Sequence, residues 1–174
     1  MDENVVTKTV IQGETFATAD SNVECTTVLG SCVSICLFDP SSGAGGMNHY
    51  LLSGENGTNA VDQRYGIFAF EKLLNEILKL GADRFSVKAK VFGGASIDGR
   101  FSSLGPENAE FARKVLADEG IECVGSDVGG TLARKLRFRP CTGDAMMMLV
   151  PGVQVKEEPA KPTGSQESES IELF

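Results

Sequence analysis

The sequence predicts an α+β fold: a mixed sheet, or a pair of layered sheets, with two main helices packed outside. Three observations lead there. Strand-like segments recur along the chain, separated by breaks rich in Gly, Pro and Asn. Two stretches carry apolar residues at the period of an amphipathic helix. Residues 32–38 (CVSICLF) are nearly all apolar, which suits a strand buried on both faces.

At 174 residues the chain is long enough for one domain with a sizeable core and short for two. Residues 5–18 (VVTKTVIQGETFAT) favour β structure, with a break at Gly13. Residues 20–24 read as a polar loop and 25–29 as a short strand ending at Gly30-Ser31. After the apolar run 32–38, Asp39-Pro40-Ser41-Ser42-Gly43 is a strong turn signal, and residues 47–52 resume the strand pattern. A second loop, 53–59, leads to the first helix. Thr58 or Asn59 can cap it and Gly81 can end it, with Ile67, Phe70, Leu74, Ile77 and Leu78 as its apolar stripe.

Residues 85–92 form a strand in which Val87, Ala89 and Val91 alternate with Ser86, Lys88 and Lys90. Gly93-Gly94-Ala95-Ser96 stops it. Pro106 at a first helical position opens the second helix, with Phe111, Val115 and Leu116 inward and Gly120 as its stop. Residues 121–125 are a strand, 127–131 a tight Gly-Gly loop, and 132–138 and 145–150 a hairpin. Beyond Gly152 the composition turns to Glu, Ser, Pro and Lys. The expected division is therefore one domain over residues 1–152 and an acidic, disordered tail over 153–174.

Hydrophobic residues make up 41% and charged residues 23%, a globular balance. The net charge of −8 argues against a nucleic-acid partner held by whole-surface attraction. MDENVVTK does not read as a signal peptide, and no apolar run approaches the roughly 18 residues of a membrane span. A cytoplasmic location without membrane insertion is expected. The five cysteines (Cys25, Cys32, Cys36, Cys123 and Cys141) form no CxxC pair, and an odd count is a poor disulfide framework.

Cys32 and His49, the single histidine, flank a polar, Gly-rich turn. If residues 32–38 pair antiparallel with 47–52 around a turn near Ser41, Cys32 lies opposite Tyr50 and His49 opposite Val33. A one-residue change of register, which a bulge at Gly45-Gly46 could supply, sets Cys32 and His49 face to face. A thiol beside an imidazole can pass it a proton and become the nucleophilic thiolate, and the imidazolium can protonate a leaving amine. The Gly30-Ser31-Cys32 turn offers backbone N–H groups for an oxyanion, Cys32's own first among them. The ring needs a third group to fix its tautomer, and Thr26, Thr27, Ser31 and Asn48 are close in sequence.

Two plainer readings compete. Cys32 and His49 can be ordinary buried residues, as most of the cysteines are expected to be. Cys25, Cys32, Cys36 and His49 also have zinc-ligand chemistry. However, Cys32 and Cys36 would stand about 13 Å apart on a strand rising ~3.3 Å per residue, too far to share one ion. No metal and no organic cofactor is expected.

TVLGSCVSICLFDP, starting at Thr27, followed by GGMNHYLL, resembles the CheD family of chemoreceptor glutamine deamidases. The likeness continues in AKVFGGAS (89–96), ENAEFARKVLADEGI (107–121) and DVGGTLARKLRFRPCTG (127–143), in order, over roughly residues 10–150. The resemblance implies a layered fold of this kind. It also implies a site made of the cysteine in GSC, the histidine in the MNH segment and a threonine six residues before the cysteine, here Cys32, His49 and Thr26. The implied activity is that of a protein-glutamine glutaminase, converting selected glutamines of methyl-accepting chemotaxis receptors to glutamate and ammonia through a Cys32 thioester. His49 would protonate ammonia and activate water, and Thr26 would orient the ring. The implied partners are the cytoplasmic region of chemoreceptors and a CheC-type phosphatase. A non-catalytic CheD-like adaptor and a receptor methylesterase are the alternatives. The sequence departs from the family pattern at Val28, where a glycine is frequent, and in Gly105-Pro106-Glu107-Asn108, where an arginine often precedes the asparagine.

Arg134, Lys135, Arg137 and Arg139 form a basic cluster on an acidic protein. A solvated strand face, with Leu136 and Phe138 inward, is preferred to a docking strip for acidic receptor helices. Core packing is preferred to an adaptable contact surface for Met146, Met147 and Met148.

Overall fold

The computed structural model describes residues 4–52, 60–97 and 103–151. In chain order the elements are β1 (Val6–Thr9), β2 (Thr15–Thr18), β3 (Val23–Leu29), β4 (Val33–Phe38), β5 (Gly45–Asn48), α1 (Ala60–Lys79), β6 (Lys88–Gly93), α2 (Leu104–Asp118), β7 (Glu122–Val128), β8 (Ala133–Phe138) and β9 (Ala145–Val150). The strands form two mixed sheets, one of four strands in the order β1-β3-β8-β9 and one of five in the order β2-β5-β4-β6-β7. Both helices pack on the five-stranded sheet. The fold is a layered α+β sandwich.

Strand alternation divides the interior into two clusters. Val33, Ile35 and Leu37 of β4 and Ala89 and Val91 of β6 meet Phe70, Leu73 and Ile77 of α1 and Ala112, Val115 and Leu116 of α2. The alternate residues Cys36 and Phe38 of β4, with Cys32 just before it and Phe92 of β6, face Cys25, Leu29, Leu136 and Phe138 of the other sheet. All six residues of β4 are buried, as its unbroken apolar run requires.

Several elements differ from expectation for local reasons. The buried stripe of α1 passes through Gly66 rather than Ile67, which is exposed. The Phe111 ring of α2 occupies the space over Gly66, where a Cβ would come within 2.6 Å of it. Strand β6 begins at Lys88 because Asp83 folds the preceding residues into a turn, accepting from the Phe85 N–H on its carboxylate and from the Ser86 N–H on its carbonyl. Phe85 is exposed. Helix α2 starts two residues before Pro106, which costs no hydrogen bond because first-turn N–H groups have no helical partner.

Gly45 and Gly46 form no bulge and pair regularly with Phe38 and Leu37. Each permits a close approach: a Cβ would lie 2.2 Å from Pro140 O at Gly45 and 2.2 Å from Phe16 O at Gly46. The irregular step falls instead at Ala89/Lys90, between β6 and β7. Arg134 is not on the solvated strand face. It shares the inward face of β8 with Leu136 and Phe138 and is buried in an ion pair with Asp127. Met147 is partly buried against the inter-sheet core, whereas Met146 and Met148 are exposed, so only one of the three packs as expected. The cap at Thr58 or Asn59 and the tail 153–174 lie outside the described residues.

Candidate active site

Strand β3 alternates Cys25, Thr27 and Leu29 inward with Glu24, Thr26 and Val28. It ends at a turn, Gly30-Ser31-Cys32, that carries the chain from one sheet into the other. The turn is held from outside: the Ala95 N–H donates to Gly30 O and the Gly94 N–H to Cys32 O, each at 2.9 Å. Cys32 is therefore fixed at the mouth of β4, with its side chain in the inter-sheet layer.

His49 follows β5 and is clamped by the turn between β1 and β2. Its N–H donates to Glu14 O at 3.0 Å, and its carbonyl accepts from the Gly13 N–H at 2.8 Å. Gly13 adopts φ 89°, a region that favours glycine, to close that turn. The strand register is shifted by one residue in the sense opposite to the face-to-face arrangement. Val33 faces Tyr50, and Cys36 faces Met47. In that register Cys32 lies across from Leu51 and His49 across from Ser34, so the two meet on a diagonal. Diagonal neighbours on one face are within reach of long side chains. The imidazole spans the gap: His49 Nε2 is 2.9 Å from Cys32 Sγ.

On the other side of the ring, His49 Nδ1 is 3.0 Å from Thr27 Oγ1 and 3.2 Å from the Val10 carbonyl. Thr27 donates its hydroxyl proton to Val10 O at 2.6 Å. A carbonyl only accepts, and a hydroxyl whose proton is committed can only accept from the ring. Both partners therefore require the proton on Nδ1. The neutral ring presents its Nε2 lone pair to the Cys32 thiol. Burial is the largest influence on His49 and takes its pKa from 6.5 down to about 4, against the opposing pull of the Val10 hydrogen bond and the Glu14 charge. At neutral pH the ring is an uncharged acceptor aimed at sulfur, the state of a general base.

Thr26 is not part of this contact. Its hydroxyl donates to Leu136 O at 3.1 Å, because the alternation of β3 turns it to the other face. The structure brings Cys32, His49 and Thr27 together and leaves Thr26 outside. Asn48 is occupied elsewhere: its side-chain oxygen accepts from the Ile35 N–H and its amide donates to Ala69 O. The Val10 carbonyl was not legible in the sequence, since a main-chain acceptor has no residue signature.

Cys25 and Cys36 share the inter-sheet cluster, and burial pushes both thiols up, Cys25 to about 12 and Cys36 further. They are inert packing thiols at neutral pH. Among the described residues no group of three or more His, Cys, Asp or Glu is placed to hold a metal ion.

A family model described as CheD chemotactic sensory transduction matches residues 51–148. The chain is 48% identical over 143 residues to the probable chemoreceptor glutamine deamidase CheD 1 of Ruegeria sp. (strain TM1040), covering 82% of this chain and 76% of that protein. It is 45% identical over 163 residues to the probable chemoreceptor glutamine deamidase CheD of Caulobacter vibrioides (strain NA1000 / CB15N), covering 92% and 87%. The chain belongs to the CheD family. The family model's match opens just after His49 and takes in both helices and strands β6 to β9. A further CheD relative, from Sinorhizobium medicae (strain WSM419), is 44% identical over 176 residues and covers 95% of this chain, a span that necessarily includes Cys32 and His49.

Proposed function

We propose that this CheD-family chain hydrolyses glutamine side-chain amides of chemoreceptors, with Cys32 as nucleophile, His49 as general base and acid, and Thr27 as the group that orients the ring. The observation that carries the reading is the 2.9 Å separation of Cys32 Sγ and His49 Nε2. The names of the relatives support the substrate class.

As Cys32 Sγ bonds to the amide carbon, its proton passes to His49 Nε2, and the carbonyl electrons move to oxygen. The Cys32 N–H is the donor nearest in the chain to that oxyanion. The imidazolium then protonates the amide nitrogen, the C–N bond breaks, and ammonia leaves a thioester on Cys32. Water gives a proton to Nε2 and attacks the thioester carbon, the C–S bond breaks, and the Nε2 proton returns to Sγ, leaving glutamate and the starting pair. Throughout, Nδ1–H stays on Val10 O and Thr27 Oγ1, which suits the imidazolium as well as the neutral ring.

The reaction needs no metal or organic cofactor. No helix among the described residues is long and apolar enough to cross a membrane. Action in the cytoplasm, on the cytoplasmic region of receptors, is part of the proposal, and the resemblance to CheD supports a CheC-type phosphatase as a second partner. The test is a coupled assay for ammonia released from a purified receptor cytoplasmic fragment. Ammonia in step with lost glutamine is expected. Methanol without ammonia would assign a methylesterase, and release of neither would point to an adaptor.

A further inference from the structure

Three successive carbonyls beside the nucleophile are each held by a donor from elsewhere in the chain. Gly30 O accepts from the Ala95 N–H and Cys32 O from the Gly94 N–H. Between them, Ser31 O accepts from Asn108 Nδ2 at 3.2 Å. The outer two donors are main chain, which almost any residue supplies. The middle one is a side chain, so it depends on residue identity.

Asn108 lies in α2 and is fully buried. Its Nδ2 also donates to Leu104 O at 2.9 Å, and its Oδ1 accepts from the Leu52 N–H at 2.8 Å. Its own carbonyl accepts from the Tyr50 hydroxyl at 2.9 Å. One residue therefore ties the peptide before Cys32 to the segment after His49. The start of α2 is wedged against the loop that holds the outer carbonyls, since a Cβ on Gly105 would come within 2.3 Å of Ala95 O. A trans peptide sets its C=O and N–H on opposite sides. Pinning Ser31 O toward Asn108 thus aims the Cys32 N–H the opposite way and fixes its direction.

We propose that Asn108 is a positioning residue for acyl transfer: it orients the Ser31–Cys32 peptide so that the Cys32 N–H is aimed to donate to a developing oxyanion. The inference rests on Cys32 as the nucleophile of the proposed reaction. Asn108 touches neither thiol nor imidazole in this scheme, so its loss should weaken the steps that build an oxyanion and spare those that do not.

Two reagents separate these cases at the same sulfur. p-Nitrophenyl acetate acylates a thiol through a tetrahedral oxyanion, forming the S–C bond and expelling p-nitrophenolate. Iodoacetamide alkylates by displacing iodide from a saturated carbon, with no oxyanion. Both rates are read on the Cys32 peptide by mass spectrometry, which sets aside the exposed Cys123. Asn108→Asp keeps the volume and the acceptor for Leu52 and removes the donor. Asn108→Ser is the second variant, and a thermal melt checks that each is folded. Acylation of Cys32 is expected to fall at least about 10-fold, and by no more than the roughly 10²–10³-fold that follows outright removal of an oxyanion donor, while alkylation stays near wild type. Tyr50→Phe, which leaves the Asn108 side chain in place, is expected to preserve the ratio of the two rates. Equal falls in both rates, or no fall in either, would overturn the proposal. Neither reagent is a receptor, so a failure of this inference and a failure of receptor deamidation are read in separate experiments.

Discussion

Thr27 Oγ1 stands 3.0 Å from His49 Nδ1 while giving its own proton to Val10 O, so one hydroxyl helps decide which ring nitrogen is protonated. The nitrogen left as acceptor is the one that faces Cys32. The chemistry of the sulfur is therefore set from the opposite side of the ring.

Thr27→Ala removes one of the two groups that hold the Nδ1 proton and leaves only Val10 O. Receptor deamidation is expected to fall by roughly 10- to 100-fold, part of the ~10²–10⁴ a positioned base supplies. Thr27→Ser keeps the hydroxyl and should recover most of the rate. Thr26→Ala should leave the rate near wild type, since that hydroxyl bonds Leu136 O. Comparing kcat of the three variants on one receptor fragment checks the assignment. Equal losses for Thr26→Ala and Thr27→Ala would refute it.

The buried imidazole makes stability depend on pH. His49 titrates at about 4 in the folded protein against 6.5 unburied, so the unfolded chain takes up its proton first as pH falls. Its contribution is intact above the unfolded pKa and is lost as pH drops from there through the folded value, by about 3 kcal/mol in all. Urea unfolding of the wild type should show this decline between neutral pH and about pH 4, and His49→Gln should show a flatter profile over the same window.

Gly45→Ala and Gly46→Ala should both destabilise, because each added methyl meets main chain rather than a movable side chain. A cost on the order of 1–3 kcal/mol, or failure to fold, is expected from such overpacking. Gly43→Ala has open space around its Cβ and should suffer only from its positive φ of 74°. Thermal melts of the three variants would order these effects.

Arg134 and Asp127 should respond unequally to mutation. Arg134 is buried, bonded to Asp127 Oδ1 at 2.8 Å and to Gly129 O, and its Nη1 has no partner among the described residues. Asp127 is about half exposed. Asp127→Asn strands a buried cation, at a cost on the order of 2 kcal/mol, whereas Arg134→Met removes the charge with its desolvation and should cost less. Denaturation midpoints of the two variants measure the difference.

Much of the fold was readable from pattern. The all-apolar run of β4 announced a strand covered on both faces, and the two helical stripes placed α1 and α2. Assigning neighbouring strands to different sheets was not readable, because β3 and β4 are consecutive and join separate sheets through a short turn. The register of β4 and β5 was missed by one residue, since turn composition does not set how many residues the turn consumes. The thiol and imidazole still meet because they share a face and the ring is long enough to cross a diagonal. Thr27 and Arg134 were within reach of the sequence: alternation with Cys25 and Leu29 puts Thr27 inward, and alternation with Leu136 and Phe138 does the same for Arg134. At Arg134 residue type outweighed parity, and at position 27 the family spacing, a threonine six residues before the cysteine, pointed to the neighbouring Thr26. Gly66 was invisible, as a glycine adds nothing to an apolar stripe although it admits the Phe111 ring.

Whether Cys32 is the nucleophile and His49 its base is decided on the receptor itself. A cytoplasmic receptor fragment is incubated with the wild type, Cys32→Ala or His49→Gln, and its glutamines are then mapped by peptide mass spectrometry. Glutamate is expected at specific former glutamines with the wild type, and none above background with either variant. Undiminished conversion by Cys32→Ala would rule out Cys32 as the nucleophile.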